Sequence, residues 1–556
     1  MALTTASGLA PASNQLLDLA GAQCAAGGGD LLALRFLGQG GEHRSLTYRE
    51  LAEAADRCAA LLVHLGLTPG ETVAVMSGRS IETVIAALGI WKAGGVYCPI
   101  FADLGPDPVL ARLELGNARI LIASSDSYRQ AVLPSRPLLP NLRQILLTSD
   151  PAHGAELEDC LNFGASLACT TLPPGGFVMP DLPVGHAVMM HFTSGTTAPI
   201  SSGQSRPKAV MHDVAAMLAM ANSARAAFAL QPGEMLWCTG EPGWITHTAF
   251  GMVAPLLIGA SVLMDPAPVT ATRCLAVLED EPVSVWYTTP TVIRTLIGGG
   301  AAMARAFRPR CLRLASSCGE PLSTDAVEWG QLVLGVPFRD SWWQTETGAI
   351  VLAHFPDAPP VPGSMGRAMP GVHLALVRRT EDGVEELPDT SPEGELALRS
   401  DTLPPWRSLG GEGGALPEEL EGWHLTGDFV RRDPNGYYWF LGREDEVIKS
   451  AGRMVGPFEV EAVLMSHPAV AEVGVIGLPD PLLHERIVAF AATNPGFSAG
   501  PRLKQELMAF ARDHLGDGLC PHEIRFQPDL PRTPSGKIIR RILKTSAQPE
   551  HDLPLA

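Results

Sequence analysis

Four separated stretches of this chain carry residues suited to gripping a polyphosphate. Thr193, Ser194, Gly195, Thr196 and Thr197 offer hydroxyls and successive backbone N–H groups, and Lys208 follows Arg206-Pro207 with an ammonium. Such a run can form a concave nest for anionic oxygens, with the lysine as a point charge. "DSWWQTETG" sets Glu346 between two threonines, a carboxylate that could hold Mg²⁺ on a polyphosphate. "LTGD" ends an apolar run in Asp428, whose two oxygens could accept both hydroxyls of a ribose. "PSGKIIRR" places Lys537 after a Ser-Gly turn. Taken singly these are an ordinary loop, an acidic loop beside tryptophans, a turn aspartate and a surface lysine. Their occurrence together, in this order, does not fit coincidence.

The elements that would position them alternate between strand and helix. Thr47 and Glu50 form a capping-box pair ahead of "LAEAADRCAALLVHL", which Gly66 ends. "TVAVMS" predicts a short apolar strand and "IETVIAALGIWKAG" a helix, while "ARILIAS" and "QILLTS" predict further buried strands. Such alternation implies an α/β fold with parallel sheets covered by helices. Two tracts, "FPDAPPVPGSMG" and "LPPWRSLGGEGGALPEEL", read as loops. A hairpin turning at Pro434-Asn435-Gly436 follows. The expected organisation is a large N-terminal body of helix-covered sheets, residues 1–442, and a small mobile α+β C-terminal domain, residues 443–556.

Composition narrows the partners. With 41 basic and 59 acidic residues the formal charge is −18, which argues against nucleic acid or an anionic membrane surface. Ten cysteines occur without a CxxC pair, so neither a zinc site nor a disulfide framework is indicated. The span Trp244 to Met264 lacks charged residues but holds Gly251, Pro255 and Gly259 and has no basic flanks, so a buried core segment is expected there. No signal-peptide pattern opens the chain, and the expectation is a cytoplasmic protein.

From "LTYRELAEAADRCAALL" to "PRTPSGK", through "EPGWIT", "YTTPTVIRTL", "SSCGEPLS", "WWQTETG", "HLTGD" and "GREDEVIKSAG", the chain resembles the adenylate-forming superfamily of acyl-CoA synthetases, most closely its acetyl-CoA synthetase branch. The resemblance implies an ATP-dependent, AMP-forming ligase that uses Mg²⁺ and joins a small carboxylate to CoA. By it, Thr193 to Thr197 and Lys208 form the phosphate loop. Gly319, Glu320 and Pro321, with Asp340, Ser341, Trp342, Gln344 and Thr345, line the adenine and ribose pocket, and Glu346 binds Mg²⁺. Asp428 and Arg443 hold the ribose, Asp445 is a hinge, and Gly452 leaves room for pantetheine. Lys537 touches the reacting carboxylate and the α-phosphate. Ile245, Thr246, Cys318 and Trp343 wall the acyl pocket, and the tryptophan shortens it to acetate or propionate.

Two departures stand out. The family's loop runs TSGTTG, one variable residue, then PK, whereas here Ala198 replaces the glycine and seven additional residues intervene before Pro207. Pro199 biases Ala198 to extended geometry, although added loop length by itself costs about 1 kcal/mol or less. In "SAGRMVG", Met454 stands where the family has an arginine and cannot donate to a phosphate. These departures leave two other readings: a nucleotide-binding paralogue with impaired catalysis, or an adenylating enzyme with a non-CoA acceptor.

Overall fold

The computed structural model describes residues 14–38, 41–148, 157, 159–193, 208–298, 307–380, 383–388, 390–410, 419–420, 422–443, 446–450, 453–480, 483–515, 519–532 and 538–547. The chain forms two compact units, Met1–His373 with Arg399–His424, and Leu374–Leu398 with Leu425–Ala556.

Local sequence rules set the helices of the first unit. In Tyr48–His64 the Thr47 side chain accepts from the Glu50 N–H while the Glu50 carboxylate accepts from the Thr47 N–H, which satisfies two otherwise orphaned donors. Ile81–Lys92 starts at Ser80 in the same manner, without the return bond. That helix is buried almost all round, and its last residue, Lys92, survives burial by pairing with Asp18 at 2.8 Å and Asp56 at 2.5 Å.

These helices cover two sheets. One runs in the order Trp406–Gly410, Lys208–Asp213, Ala187–Thr193, Val96–Pro99, Thr72–Met76, Ile120–Ala123, Gln144–Leu147, Leu161–Asn162. Its interior strands are parallel and its Lys208 end antiparallel. The other runs Arg367–Ala368, Leu352–Ala353, Phe338–Trp342, Leu314–Ser317, Val285–Thr288, Met235–Cys238, Ser261–Met264, Leu32–Leu37, His43–Thr47. The five strands from Phe338–Trp342 to Ser261–Met264, with Leu32–Leu37, are mutually parallel. Val285–Thr288, Met235–Cys238 and Ser261–Met264 are buried throughout, as parallel strands covered on both faces must be. The three strands expected from sequence at 72–77, 118–124 and 144–149, with the helix after Ser80, are found within a residue or two.

The uncharged span from Trp244 is a helical run, Ile245–Thr248, Ala249–Val253 and Ala254–Ile258, whose middle is a π-type bulge. Gly259 ends it and Ser261–Met264 follows as a buried strand. Among the described residues no helix is long and apolar enough to cross a membrane. The tract "LPPWRSLGGEGGALPEEL" requires correction. Its Trp406–Gly410 is a strand that pairs antiparallel with Lys208–Asp213, because the edge of that sheet supplies partners that the prolines and glycines concealed.

In the second unit, Leu374–Thr380 pairs with Gly383–Glu386 and Glu393–Arg399, and the hairpin of Trp423–Arg432 with Tyr438–Arg443 turns where expected. Asp433 Oδ1 accepts from the N–H groups of Asn435 and Tyr437 to fix that turn. A further sheet holds Arg453–Val455, Ile448–Ser450, His484–Thr493, Val470–Asp480 and Glu523–Phe526, with helices Pro457–Met465, Pro501–Leu515 and Arg540–Ala547. Arg540 opens the last helix and donates to Glu446 and to both oxygens of Glu461 at 2.8 Å. The Glu461 side chain is 7 % exposed. Removing the arginine would strand that carboxylate, so Arg540→Ala is expected to cost about 3 kcal/mol. Urea unfolding of the purified variant checks this; an unchanged midpoint would refute the clamp.

Candidate active site

Parallel strands end level with one another, so the residues just beyond their carboxyl ends converge. Cys238, Tyr287 and Ser316 are in register, as are Thr288, Ser317 and Asp340. The chain leaves Leu314–Ser317 through Cys318 and Gly319, and Gly319 takes φ +91°, a conformation that glycine adopts without strain. Gly319, Glu320 and Pro321 thus lie on the turn after this strand. The Glu320 carboxylate is held there by Thr291 Oγ1 at 2.6 Å and Arg294 Nη2 at 2.5 Å.

Asp340 and Ser341 belong to the neighbouring strand. Asp340 is 5 % exposed and accepts from Ser317 Oγ at 3.1 Å and from the Ser341 N–H at 3.0 Å. Burial pushes its carboxyl up to about 7. The following turn, Trp342 to Gly348, is fixed by its backbone. Thr347 Oγ1 accepts from the Gln344 N–H, His424 Nε2 donates to Gln344 Oε1 at 3.2 Å, and His212 Nε2 donates to the Thr345 carbonyl at 2.7 Å. Gly348 has φ +67°, and a Cβ there would sit 2.9 Å from His212 Cε1. Glu346 is presented by this turn, and its Oε1 meets Lys208 Nζ at 3.3 Å.

Lys208 and Thr193 are partners in register at the ends of adjacent antiparallel strands. The ends of the lengthened loop are therefore joined as a hairpin base, while Ser194, Gly195, Thr196, Thr197 and the inserted residues lie outside the described residues. Lys208 Nζ also lies 5.9 Å from the centre of the Trp406 ring, and Trp406 packs edge-on against His424. A carboxylate beside an ammonium is a donor set that suits a metal-bound polyphosphate: the oxygen for the cation, the nitrogen for phosphate.

The residues expected to wall an acyl pocket lie near this turn. Ile245 and Thr246 start the helical run, and Thr246 Oγ1 lies 3.9 Å from Cys318 Sγ. Burial pushes the Cys318 thiol up to about 11, which keeps it neutral and a poor nucleophile. Trp343 packs edge-on against Phe250 from the π-bulge and donates from Nε1 to Tyr287 Oη at 3.0 Å.

In the second unit Asp428 and Arg443 face each other across the hairpin. Arg443 Nη1 donates to Asp428 Oδ1 at 2.6 Å and to the Thr426 carbonyl at 3.0 Å. Asp445, Gly452 and Lys537 lie outside the described residues. Arg532 and Ile538, on either side of Lys537, form a β-bridge, and the Ile539 N–H donates to the Pro531 carbonyl. Met454 lies on the strand Arg453–Val455. Sequence reading missed His212, Tyr287, Trp406 and His424. A histidine directly after the apolar run in "KAVMHD" was the one visible hint, since a buried imidazole needs a partner.

Burial holds His191 down to about 3 and His247 and His354 down to about 4, and also lowers His212. Below the ordinary histidine range the unfolded chain takes up protons that these native sites refuse, so their stabilising contribution is lost as pH falls from 6.5 towards 4. Asp340 acts in the opposite direction, because its contribution is present at low pH and is lost as pH rises through about 7. The melting temperature is expected to fall on acidification from pH 6.5 to 4.5, and more steeply in Asp340→Asn. Thermal melts across that range check the sign, and a shallower slope in the variant would contradict it.

Comparison with known proteins agrees with this geometry. The family model described as AMP-binding enzyme matches residues 22–404, and that for the AMP-binding enzyme C-terminal domain matches residues 459–537. Acetyl-coenzyme A synthetase from Bacillus subtilis is 34 % identical over 90 % of this chain and 84 % of its own. Acetyl-coenzyme A synthetase 1 of Pseudomonas aeruginosa is 30 % identical over 94 % and 82 %. The crystal structure of a Brucella canis acyl-CoA synthetase, 30 % identical, superposes with a TM-score of 0.72 over 98 % of this chain and 96 % of that one. An anthranilate CoA ligase bound to anthranoyl-AMP shares the fold with a TM-score of 0.82 at 24 % identity, over 96 % and 97 %. With both family models matched in order and relatives at 30 % identity or more over most of its length, this chain belongs to the AMP-binding enzymes, the adenylate-forming ligases.

Proposed function

We propose that the protein joins a short-chain carboxylic acid of the acetate and propionate class to CoA, consuming ATP and releasing AMP and pyrophosphate. The observation that supports this reading is the Lys208–Glu346 pair, three residues along the chain from Trp343, whose indole is held by Tyr287. One turn then presents the carboxylate that meets Lys208 and the indole read as the end of the acyl slot.

A carboxylate oxygen of the acid attacks the α-phosphorus of ATP, the bond to the bridging oxygen breaks, and pyrophosphate leaves. Two anions must approach, so positive charge has to be fixed in advance. Lys208 with the Thr193–Thr197 loop takes the departing phosphates, Glu346 holds Mg²⁺, and Lys537 bridges the acid and the α-phosphate. Bound Mg²⁺ supplies Lewis-acid charge neutralisation to the polyphosphate. Gly319, Glu320, Pro321, Asp340, Ser341, Trp342, Gln344 and Thr345 shape the base and sugar pocket, with Asp428 and Arg443 on the ribose hydroxyls. Ile245, Thr246, Cys318 and Trp343 then hold the acyl group while the CoA sulfur attacks its carbonyl carbon. AMP leaves with the electron pair of the cleaved C–O bond, and the thiol proton goes to solvent.

Lys537 and pantetheine need the same face of the intermediate. The functional division therefore falls at residues 1–442 and 443–556, with Asp445 as hinge, and the small domain turns between the half-reactions to bring Gly452 forward. The lengthened loop is compatible with this chemistry, since its ends are closed by the Thr193–Lys208 pairing and length alone is cheap. The site acts in the cytoplasm, where ATP and CoA are available.

Lys537→Ala is expected to lower acid-dependent pyrophosphate release at least about a hundredfold while retaining most thioester formation from supplied acetyl-AMP and CoA. Measuring the two half-reactions separately checks this. Equal loss in both would refute the turning of the small domain, and acid-dependent release of ADP in place of AMP by the unaltered protein would refute the reaction itself.

A further inference from the structure

The indole of Trp343 ends a hydrogen-bonded run whose direction chemistry fixes. Trp343 Nε1–H can only donate, and it donates to Tyr287 Oη at 3.0 Å. At the far end the Ser317 carbonyl can only accept, and it accepts from Ser341 Oγ at 2.7 Å. Between them Tyr287 Oη and Ser341 Oγ are 2.9 Å apart. Ser341 has committed its proton to the carbonyl, so Tyr287 must give its own to Ser341. The run is therefore Trp343 to Tyr287 to Ser341 to Ser317, with the neutral Cys318 thiol beside the tyrosine hydroxyl and the indole.

Its setting is closed. Tyr287 is 0 % exposed, and its ring packs against Phe228 at 4.9 Å and Phe250 at 5.0 Å. Phe250 also meets Trp343 edge-on at 5.3 Å. Tyr287 sits on Val285–Thr288, while Ser317 ends Leu314–Ser317 and Ser341 lies on Phe338–Trp342. The orientation of Trp343 is thus referred to three strands of the sheet. Donor-only indole groups that lose a buried acceptor turn to find another, since leaving one unpaired is costly.

We propose that Tyr287 is a specificity-determining positioning residue, which anchors Trp343 across the acyl pocket and so sets the longest acid accepted. This rests on the reading of Trp343 as the pocket wall. Without the tyrosine hydroxyl the indole is free to swing from its place and admit further methylenes. Tyr287→Phe tests this, because it keeps the ring between Phe228 and Phe250 and removes only the hydroxyl that accepts from Trp343 and donates to Ser341.

The measurement is kcat/KM for acetate, propionate, butyrate and valerate, read as acid-dependent AMP formation with CoA. Tyr287→Phe is expected to raise the butyrate-to-acetate ratio about tenfold, the scale of one or two methylenes in a specificity pocket. Ser341→Ala, which removes the next link, should shift the ratio in the same direction and serves if the first variant folds poorly. Adding Tyr287→Phe to Trp343→Phe, where no indole N–H remains, should change the ratio no further. An equal loss of kcat/KM for all four acids in Tyr287→Phe would mark a merely structural role and overturn the proposal. Trp343→Ala separates the two layers. If it admits butyrate while Tyr287→Phe keeps the original profile, the anchor is refuted and the wall stands; if Trp343→Ala itself leaves the profile unchanged, the wall is refuted and the anchor with it.

Discussion

Parallel pairing obliges neighbouring strands to end at one level, and the chemistry of this protein is laid out along that edge. Cys238, Tyr287 and Ser316 form one row, and Thr288, Ser317 and Asp340 the next. Because side chains alternate along a strand, Arg339 and Ser341 share a face with Tyr287 while Asp340 shares one with Ser317. Adjacent residues can therefore serve different tasks. Asp340 is tied back to Ser317, and Ser341 to Tyr287. The two glycine turns beyond the edge, at Gly319 and Gly348, carry the chain round without strain and present Glu320 and Glu346.

Charge is handled with similar economy. The chain as a whole is acidic, so an anionic substrate needs local positive charge that is not already neutralised by a tight partner. Lys208 is 37 % exposed at its side chain and, among the described residues, meets one carboxylate oxygen at 3.3 Å, with an aromatic face at 5.9 Å. That is a loose pairing beside the tight two-carboxylate clamps on Lys92 and Arg540. A nucleotide polyphosphate with its cation can replace each half of such a pair at little cost, whereas the clamps hold structure.

Much of this was legible beforehand. The Thr47–Glu50 box, the apolar runs and the Pro434-Asn435-Gly436 turn are local signals, and they formed as read because nothing distant opposed them. Trp406–Gly410 was missed because its strand character comes from a neighbour two hundred residues earlier in the chain, Lys208–Asp213, and its own glycines and prolines argue for a loop. Among candidate site residues, Glu346, Cys318 and Trp343 were named from the motifs around them. The roles of Tyr287 and His212 were not, because each meets a partner that only the fold brings near: an indole for one, a carbonyl for the other.

The most direct test of the adenylation chemistry is exchange of labelled pyrophosphate into ATP without CoA, measured with acetate, propionate, butyrate and glycolate. Exchange that depends on acetate or propionate is predicted, and it would mean that a loop lengthened between Thr197 and Pro207 still holds ATP for attack at the α-phosphorus. Measurable ATP binding with no exchange for any acid would contradict the account and leave a nucleotide-binding paralogue in its place.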